Sequence, residues 1–299
     1  MEEKLLLATF LYKLIIKYTL GFNFLYIMKN MDEIEQLNQK GFVIKKGFFN
    51  PQELDNLKDE GQKIFFNQIK KFGIASKYSS EEDFNLNLFR LFAEYPDIFI
   101  NCAQQIQNLI SVYRIAVSDE IISTLKAYGV SFPTMIVKPV VFFSHKKLSK
   151  KVENWKTPPH QDWGSIQSSL DTTIVWVPWV DVTKDIGPLE IIEGSHKLGN
   201  VTSGKQGDFK TFNDEEYKDS YQSVEMEKGD ALFFSSFLLH KSGNNISSNP
   251  RWSMHLRYSN LDEPTNIQRG YPYNYSYGPI DREITPNFPD KNNLNHIYK

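Results

Sequence analysis

The stretch TPPHQDWGS, residues 157–165, places a histidine and an aspartate two positions apart. In extended chain, residues i and i+2 share a face, so His160 and Asp162 can reach one point. A third donor must come from elsewhere in the sequence. His240 closes the apolar run ALFFSSFLLH, directly before the polar turn KSGNN. Two imidazoles and one carboxylate on one side of a metal leave three positions open, the donor set of non-haem Fe(II) oxygenases. The open positions take a cosubstrate and O2. Each piece has a blander reading: H-x-D is common and mostly structural or solvated, and a histidine at a strand end is mostly a satisfied polar residue.

Eleven residues after His240, Arg251 opens RWSMHLRYS. As a strand, this segment puts Arg251, Ser253, His255 and Arg257 on one face and Trp252, Met254, Leu256 and Tyr258 on the other. The polar face cannot enter a dry core without partners. It either lines a lumen that holds an anion or faces solvent on an edge strand. A guanidinium's planar fork suits a carboxylate in the first case.

The elements that must position these residues divide the chain in two. From Met31, MDEIEQLNQKGFVIKKGFF reads as a short helix, a turn at Gly41 and a strand. In the next segment, NPQELDNLKDEGQKIFFNQIKK, Asn50 is placed as an N-cap and Pro51 at the first helical position. Residues 83–128 read as two or three more helices, the last ending at or just before Gly129. After residue 130, FPTMIVKPVVFF, TTIVWVPWVDV, LEIIEG, YQSVEM, ALFFSSFLL and RWSMHLRYS are short, β-branched and aromatic, bounded by Gly, Pro or Asn. That pattern implies an antiparallel sandwich or barrel. Residues 197–221 form a polar insertion between strands, a candidate lid or loop. The tail, 261–299, rich in Tyr, Pro and Asn, reads as irregular surface wrapping. The expected fold is therefore α+β with a mainly β core: helices over about 31–130, the β core over about 131–260, in one domain spanning 31–299.

Composition bounds the function. With 40% hydrophobic residues the chain supports a sizeable core, and 14% aromatics suits a β-rich interior or a lined pocket. A net charge of −2 without a large basic block argues against nucleic-acid partners. One cysteine, Cys102, excludes an internal disulfide and a cysteine metal site, and fits a reducing, cytoplasmic setting. Residues 5–28 are strongly apolar but interrupted by Lys13 and Lys17, and Glu2 and Glu3 are wrong for a signal peptide. Three readings stay open for residues 1–30: a helix packed on the domain or a membrane face, translation beginning at Met28 or Met31, or a membrane anchor.

HQDWGSIQSSLDTTIVWVPWVDVTKDIGPLEIIEGSHKLG followed by KGDALFFSSFLLHKSGNNISSNPRWSMHLRYSN resembles the phytanoyl-CoA dioxygenase family of Fe(II)- and 2-oxoglutarate-dependent oxygenases. The motifs are H-x-D, the G-P-L…G-S-H-K block, G-D…F…H-x-S-x-x-N and the trailing arginine, spanning about residues 157–260. GFVIKKGFFNPQELDNL also resembles the family's opening. The resemblance implies a double-stranded β-helix, a cupin-like jelly roll, with N-terminal flanking helices. It implies His160, Asp162 and His240 as iron ligands and Arg251 as partner of the distal carboxylate of 2-oxoglutarate. Gln161 and Trp176 match positions that approach the cosubstrate, and Lys138 is a candidate to add charge there. Trp163 and Ser165, next to the metal motif, are candidates to face the substrate. A carboxylate at 162 implies hydroxylation, since halogenating relatives leave that position empty.

The implied reaction hydroxylates an unactivated C–H bond of a small organic substrate, releases succinate and CO2, and is supported by ascorbate. Two competing readings keep the fold without that reaction: a non-catalytic metabolite-binding cupin, and a metal-dependent isomerase. His196 in GSHK and Asp230 in EKGDALFF read as structural, and Asn245 as a brace for the loop after His240. Lys146, Lys147, Lys150 and Lys151 form the one dense basic run, which reads as a solvated loop or a place to meet an anionic substrate. Neither substrate nor oligomeric state is legible.

Overall fold

The computed structural model describes residues 31–206, 209–270, 288–295 and 297–298. The apolar stretch 5–28 and His296 lie outside them. Among the described residues, no helix is long and apolar enough to cross a membrane.

The helices come first. Residues 31–40 form α1, and Gly41, at φ +84°, turns the chain into β1 (Phe42–Lys45). A Cβ at position 41 would meet the His196 ring at 2.4 Å, so both dihedral and space require glycine. In α2 (Pro51–Lys71), Asn50 accepts from the Gln52 N–H, and Pro51 opens the helix. Next come α3 (Glu81–Glu94), α4 (Pro96–Ile106), α5 (Ile110–Ala116) and α6 (Asp119–Ala127). The expectation of two or three helices over 83–128 is short by at least one. Pro96 breaks α3 from α4, and Ser118 caps α6 separately by accepting from the Ile121 N–H. Gly129, at φ +95°, ends α6 as the sequence suggests.

The strands follow as β2 (Pro133–Met135), β3 (Val140–Ser144), β4 (Thr173–Pro178), β5 (Leu189–Ile191), β6 (Gly204–Gln206), β7 (Phe209–Thr211), β8 (Gln222–Val224), β9 (Ala231–Ser235), β10 (His240–Ser242) and β11 (Arg251–Asn260). Short helices intervene: α7 (Trp163–Ile166), α8 (Pro264–Gln268) and α9 (Lys291–Leu294). The larger sheet runs β1-β9-β4-β11-β2, with β3 also paired to β11; the smaller runs β10-β5-β8. All pairings are antiparallel. This is a jelly-roll arrangement of two sheets rather than a closed barrel.

The larger sheet is buried on both faces. On one, Val175, Phe233, Trp252, Met254 and Tyr258 pack against Leu54, Leu57, Phe65 and Ile106 of the helices. On the other, Ile174, Trp176, Leu232 and Phe234 meet Leu189, Ile191 and Val224 of the smaller sheet. Burying each such side chain stabilises the fold by about 1.5–3 kcal/mol. Gly61, mid-helix, gives up about 1 kcal/mol of helix propensity, but a Cβ there would meet the Trp252 ring at 2.9 Å.

Two further expectations need correction. Residues 197–221 are no free lid: β6 and β7 pair as a hairpin, and Thr211 bridges to His160, so the insertion extends the smaller sheet beside the metal motif. The described part of the tail is not wholly irregular. It contains α8 and α9, and Leu294 is buried against Trp163 and its neighbours. Apolar residues within a polar tail gave it a core to join.

Candidate metal centre

Both histidines are set by backbone pairing. β9 ends at Ser235, and residues 236–239 carry the chain across to the smaller sheet, with the Leu238 N–H bonded to the Ser235 carbonyl at 2.9 Å. His240 thus opens β10 instead of closing β9, contrary to the sequence reading. There it forms a reciprocal backbone pair with His160: the His160 N–H donates to the His240 carbonyl at 2.9 Å, and the His240 N–H donates back at 3.1 Å. The two rings lie 4.2 Å apart between centroids.

Each imidazole is oriented by its own strand. Nδ1 of His160 meets the Pro158 carbonyl at 2.8 Å, and Nδ1 of His240 meets the Leu238 carbonyl at 2.9 Å. A carbonyl only accepts, so both Nδ1 atoms carry hydrogen and both Nε2 atoms present the lone pair a metal uses. Burial lowers the His160 imidazole to about 3, and the neighbouring His240 adds to this; burial also lowers His240. Both rings are therefore neutral near pH 7, the protonation state that ligates.

Asp162 reaches the same point by a different route from the one the spacing suggests. It is not in extended chain: at φ −60°, ψ −32° it starts α7. The carboxylate turns in because the chain coils there, with the Ser165 N–H bonded to the Asp162 carbonyl. Oδ1 accepts from Nε and Nη2 of Arg257 at 3.0 and 2.9 Å. Oδ2 is buried, has no hydrogen-bond partner among the described residues, and lies 3.6 Å from Nε2 of His240. Burial alone would raise this carboxyl, but the Arg257 guanidinium foremost outweighs it and holds it well below the usual range. Donor atoms of His160, Asp162 and His240 all lie within 4.8 Å of one another. A buried anionic oxygen without a partner beside two inward imidazoles fits a divalent cation with nitrogen and oxygen preferences.

Arg251 is placed on the same inner face, six residues along β11. It is 2% exposed, and its Nε and Nη1 have no partner among the described residues. Burial lowers it to about 10, which leaves it cationic at neutral pH. Its guanidinium lies 5.4 Å from the Trp176 ring on β4, and Nε1 of Trp176 and Oγ of Ser253 are also buried without partners. The structure thus brings Arg251 and Trp176 together. The solvent-edge alternative for this strand fails: β11 is flanked on both sides and buried along nearly its whole length.

Other candidates are placed elsewhere. Gln161 is a brace: its amide donates to the carbonyls of Gly199 and Phe237 and accepts from the Val201 N–H. With those atoms taken, it offers little to a cosubstrate. Trp163, expected to face the substrate, is 1% exposed and stacks on Phe237 in a cluster with Leu170 and Leu294. Its neighbour on α7, Ser165, is half-buried. Lys138 is half-buried between β2 and β3 and forms no ion pair with any described residue. The pairing register shifts by two residues there, from His255 opposite Val140 to Tyr258 opposite Met135. Asn245 bonds the Ser144 and Asn249 carbonyls, bracing the loop that leads into Arg251. Asp230 ties the Gly47 and Glu227 N–H groups and Lys46. His196 is buried, bonded through Nε2 to the Asn38 carbonyl at 3.1 Å. The bond from Arg257 to Asp162 was not anticipated, although alternation along β11 had put Arg257 on the right face.

Comparison with known proteins agrees with this geometry. The family model for phytanoyl-CoA dioxygenase (PhyH) matches residues 37–253. A 1-deoxypentalenic acid 11-beta-hydroxylase of Streptomyces exfoliatus is 29% identical over 161 residues, 50% of this chain and 56% of that protein. A methylphosphonate hydroxylase of Gimesia maris is 46% identical over 124 residues, 39% of this chain and 46% of that one. The chain spans about half the length of these curated relatives. Human peroxisomal phytanoyl-CoA dioxygenase is 23% identical over 263 residues, covering 82% of this chain and 72% of the human protein. Among solved structures, the non-heme alpha ketoglutarate dependent epimerase SnoN from nogalamycin biosynthesis superposes with a TM-score of 0.54 at 19% identity, covering 78% of this chain and 84% of SnoN, and so shares the fold. With the family model covering residues 37–253 and the jelly roll in place, the chain belongs to the phytanoyl-CoA dioxygenase family.

Proposed function

We propose that this protein is an Fe(II)- and 2-oxoglutarate-dependent hydroxylase of a small organic substrate. The observation that carries this reading is the buried, partnerless Oδ2 of Asp162 facing Nε2 of His240, with His160 beside it. His160, Asp162 and His240 would hold the metal. When bound, iron with 2-oxoglutarate and O2 would supply the oxidising power for C–H hydroxylation, with release of succinate and CO2.

The chain's own residues supply the rest. The imidazoles are kept neutral by burial and aimed by the Pro158 and Leu238 carbonyls. Arg251 offers a buried cation with unused donors to the distal carboxylate of 2-oxoglutarate, and Trp176 flanks it. Lys138 is a second candidate for an anionic group, and Ser165 for the substrate side. Gln161 and Trp163 hold the turn in shape. The Asp162 carboxylate favours hydroxylation over halogenation by filling the position a halide would need. Two relatives are named for hydroxylating small acids, a methylphosphonate and a deoxypentalenic acid, which directs a substrate search toward small anions.

The test is succinate formation by the purified protein with Fe(II), ascorbate and 2-oxoglutarate, screened over small carboxylates and phosphonates including methylphosphonate. Substrate-stimulated succinate with a hydroxylated product is expected. A product isomerised without succinate, or tight binding with no turnover across the panel, would replace this reading with an isomerase or a binding protein.

A further inference from the structure

Arg257 points both of its bonded nitrogens, Nε and Nη2, at a single oxygen of Asp162. The usual guanidinium–carboxylate pair matches one nitrogen to each oxygen and satisfies both. Here Oδ1 takes two donors while the buried Oδ2 takes none among the described residues. For a pair that served folding alone, this is the inferior arrangement, because a bare buried anionic oxygen costs free energy. A cation beside a metal-binding carboxylate also repels the metal. The arrangement makes sense if Oδ2 is reserved and Oδ1 withheld.

Arg257 is built to be immobile. It lies within β11, opposite Ile174 of β4, and its own carbonyl accepts from the Ile136 N–H at 3.1 Å on the other side. Strands thus fix its backbone from both flanks. Asp162, by contrast, immediately precedes a four-residue helix, and its side chain makes no cap hydrogen bond there, so the Arg257 contact is what orients Oδ1.

We propose that Arg257 is a positioning residue that limits Asp162 to one metal bond. By occupying Oδ1 it stops the carboxylate from chelating, and so preserves a third open position on the metal. This rests on the proposed metal-dependent function and adds a residue to it. Two oxygens of 2-oxoglutarate and one of O2 need three positions; a chelating aspartate would leave two.

Mn(II) bound to the full-length protein in place of iron tests this directly, since water-proton relaxivity follows the number of exchangeable waters on the metal. Wild type, Arg257→Met and Arg257→Lys are compared, with metal affinity and 2-oxoglutarate affinity measured on the same samples. Arg257→Met is expected to lower relaxivity by about one third, as one of three open positions closes. It should keep Mn(II) affinity within about ten-fold and weaken 2-oxoglutarate at least ten-fold. Arg257→Lys should fall between, because an ammonium keeps the charge but not the fork. Unchanged relaxivity in both variants overturns the proposal, as does a loss of metal affinity beyond about a hundred-fold, which would assign Arg257 to metal retention. If Arg257→Met does not fold, Arg257→Lys carries the test, with lowered relaxivity as the required result. Should wild type bind Mn(II) but not 2-oxoglutarate, the proposed function fails while the relaxivity comparison still decides this inference.

Discussion

Two arginines on the inner face of β11 have opposite fates. Arg257 is bonded to a carboxylate of its own chain, whereas Arg251, six residues earlier, is more deeply enclosed, with two nitrogens unused among the described residues. A buried cation without a counter-ion is normally selected against, because desolvation costs several kcal/mol. The contrast divides the inner face into a part the protein completes by itself and a part that waits for an anion from outside. The Arg257–Asp162 Oδ1 pair belongs to the completed part.

Removing the centre of the completed part has the largest expected effect. Asp162→Ala should abolish the proposed hydroxylation, a loss of at least about 10³-fold, because it would remove one of the three proposed metal donors. Product formation under saturating iron measures it, and wild-type-like turnover would remove Asp162 from the ligand set.

Arg257→Met should then destabilise the metal-free protein by about 3 kcal/mol, since it strands a buried carboxylate. Denaturant titration of metal-free protein reads this, and an unchanged midpoint would show that Asp162 finds another partner.

At the waiting end, Arg251→Ala should weaken 2-oxoglutarate by about 2–5 kcal/mol while leaving metal affinity within a few-fold. Calorimetry on metal-loaded protein separates the two. A wild-type Kd for 2-oxoglutarate would hand the anchor to Lys138, because the Arg257 fork is engaged. The same residue should show the reverse sign in stability. Arg251→Met is expected to stabilise the metal-free protein by about 1–3 kcal/mol, as an unpaired buried charge is replaced by apolar volume. If both arginine variants lose stability equally, the contrast between the two ends collapses.

The smallest effect concerns acid. Burial lowers His196 from its usual 6.5 to about 4. Between those values the unfolded chain binds a proton that the folded chain refuses, so stability falls as pH drops through this window and is unaffected above it. At pH 5.5 the loss is roughly 1 kcal/mol for this residue. Melting of metal-free protein across pH 4 to 7 measures it, and His196→Phe should flatten the slope in proportion.

Much of this was legible in the sequence, and the legible parts share a cause. Alternation along RWSMHLRYS depends only on strand periodicity, so the shared face of Arg251, Ser253, His255 and Arg257 could be read before any contact was known. The three candidate metal donors could be named from residue type, spacing and motif order, and the fold brings them together. Less legible was how each reaches the site. Asp162 arrives through a helical turn, and His240 starts a strand in the opposite sheet, because the Ser235–Leu238 turn redirects the chain. Those outcomes are set by partners far away in sequence, Thr172, Ser195 and His160 among them. Where the Gln161 and Trp163 side chains lie was hidden for a related reason. Next to a motif, a side chain can point either way, and both found partners behind the turn, the Gly199 and Phe237 carbonyls for one and Phe237 and Leu294 for the other.

The reciprocal backbone pair between His160 and His240 has a consequence for assembly. The two imidazoles are spaced by the ladder itself, so sliding one chain segment by a single residue would turn one ring to the opposite side of the sheet. No partly correct version of this centre exists: either two segments eighty residues apart have met in the right alignment, or only one imidazole faces inward. Metal uptake during refolding would therefore count, molecule by molecule, the chains whose smaller sheet has closed in register.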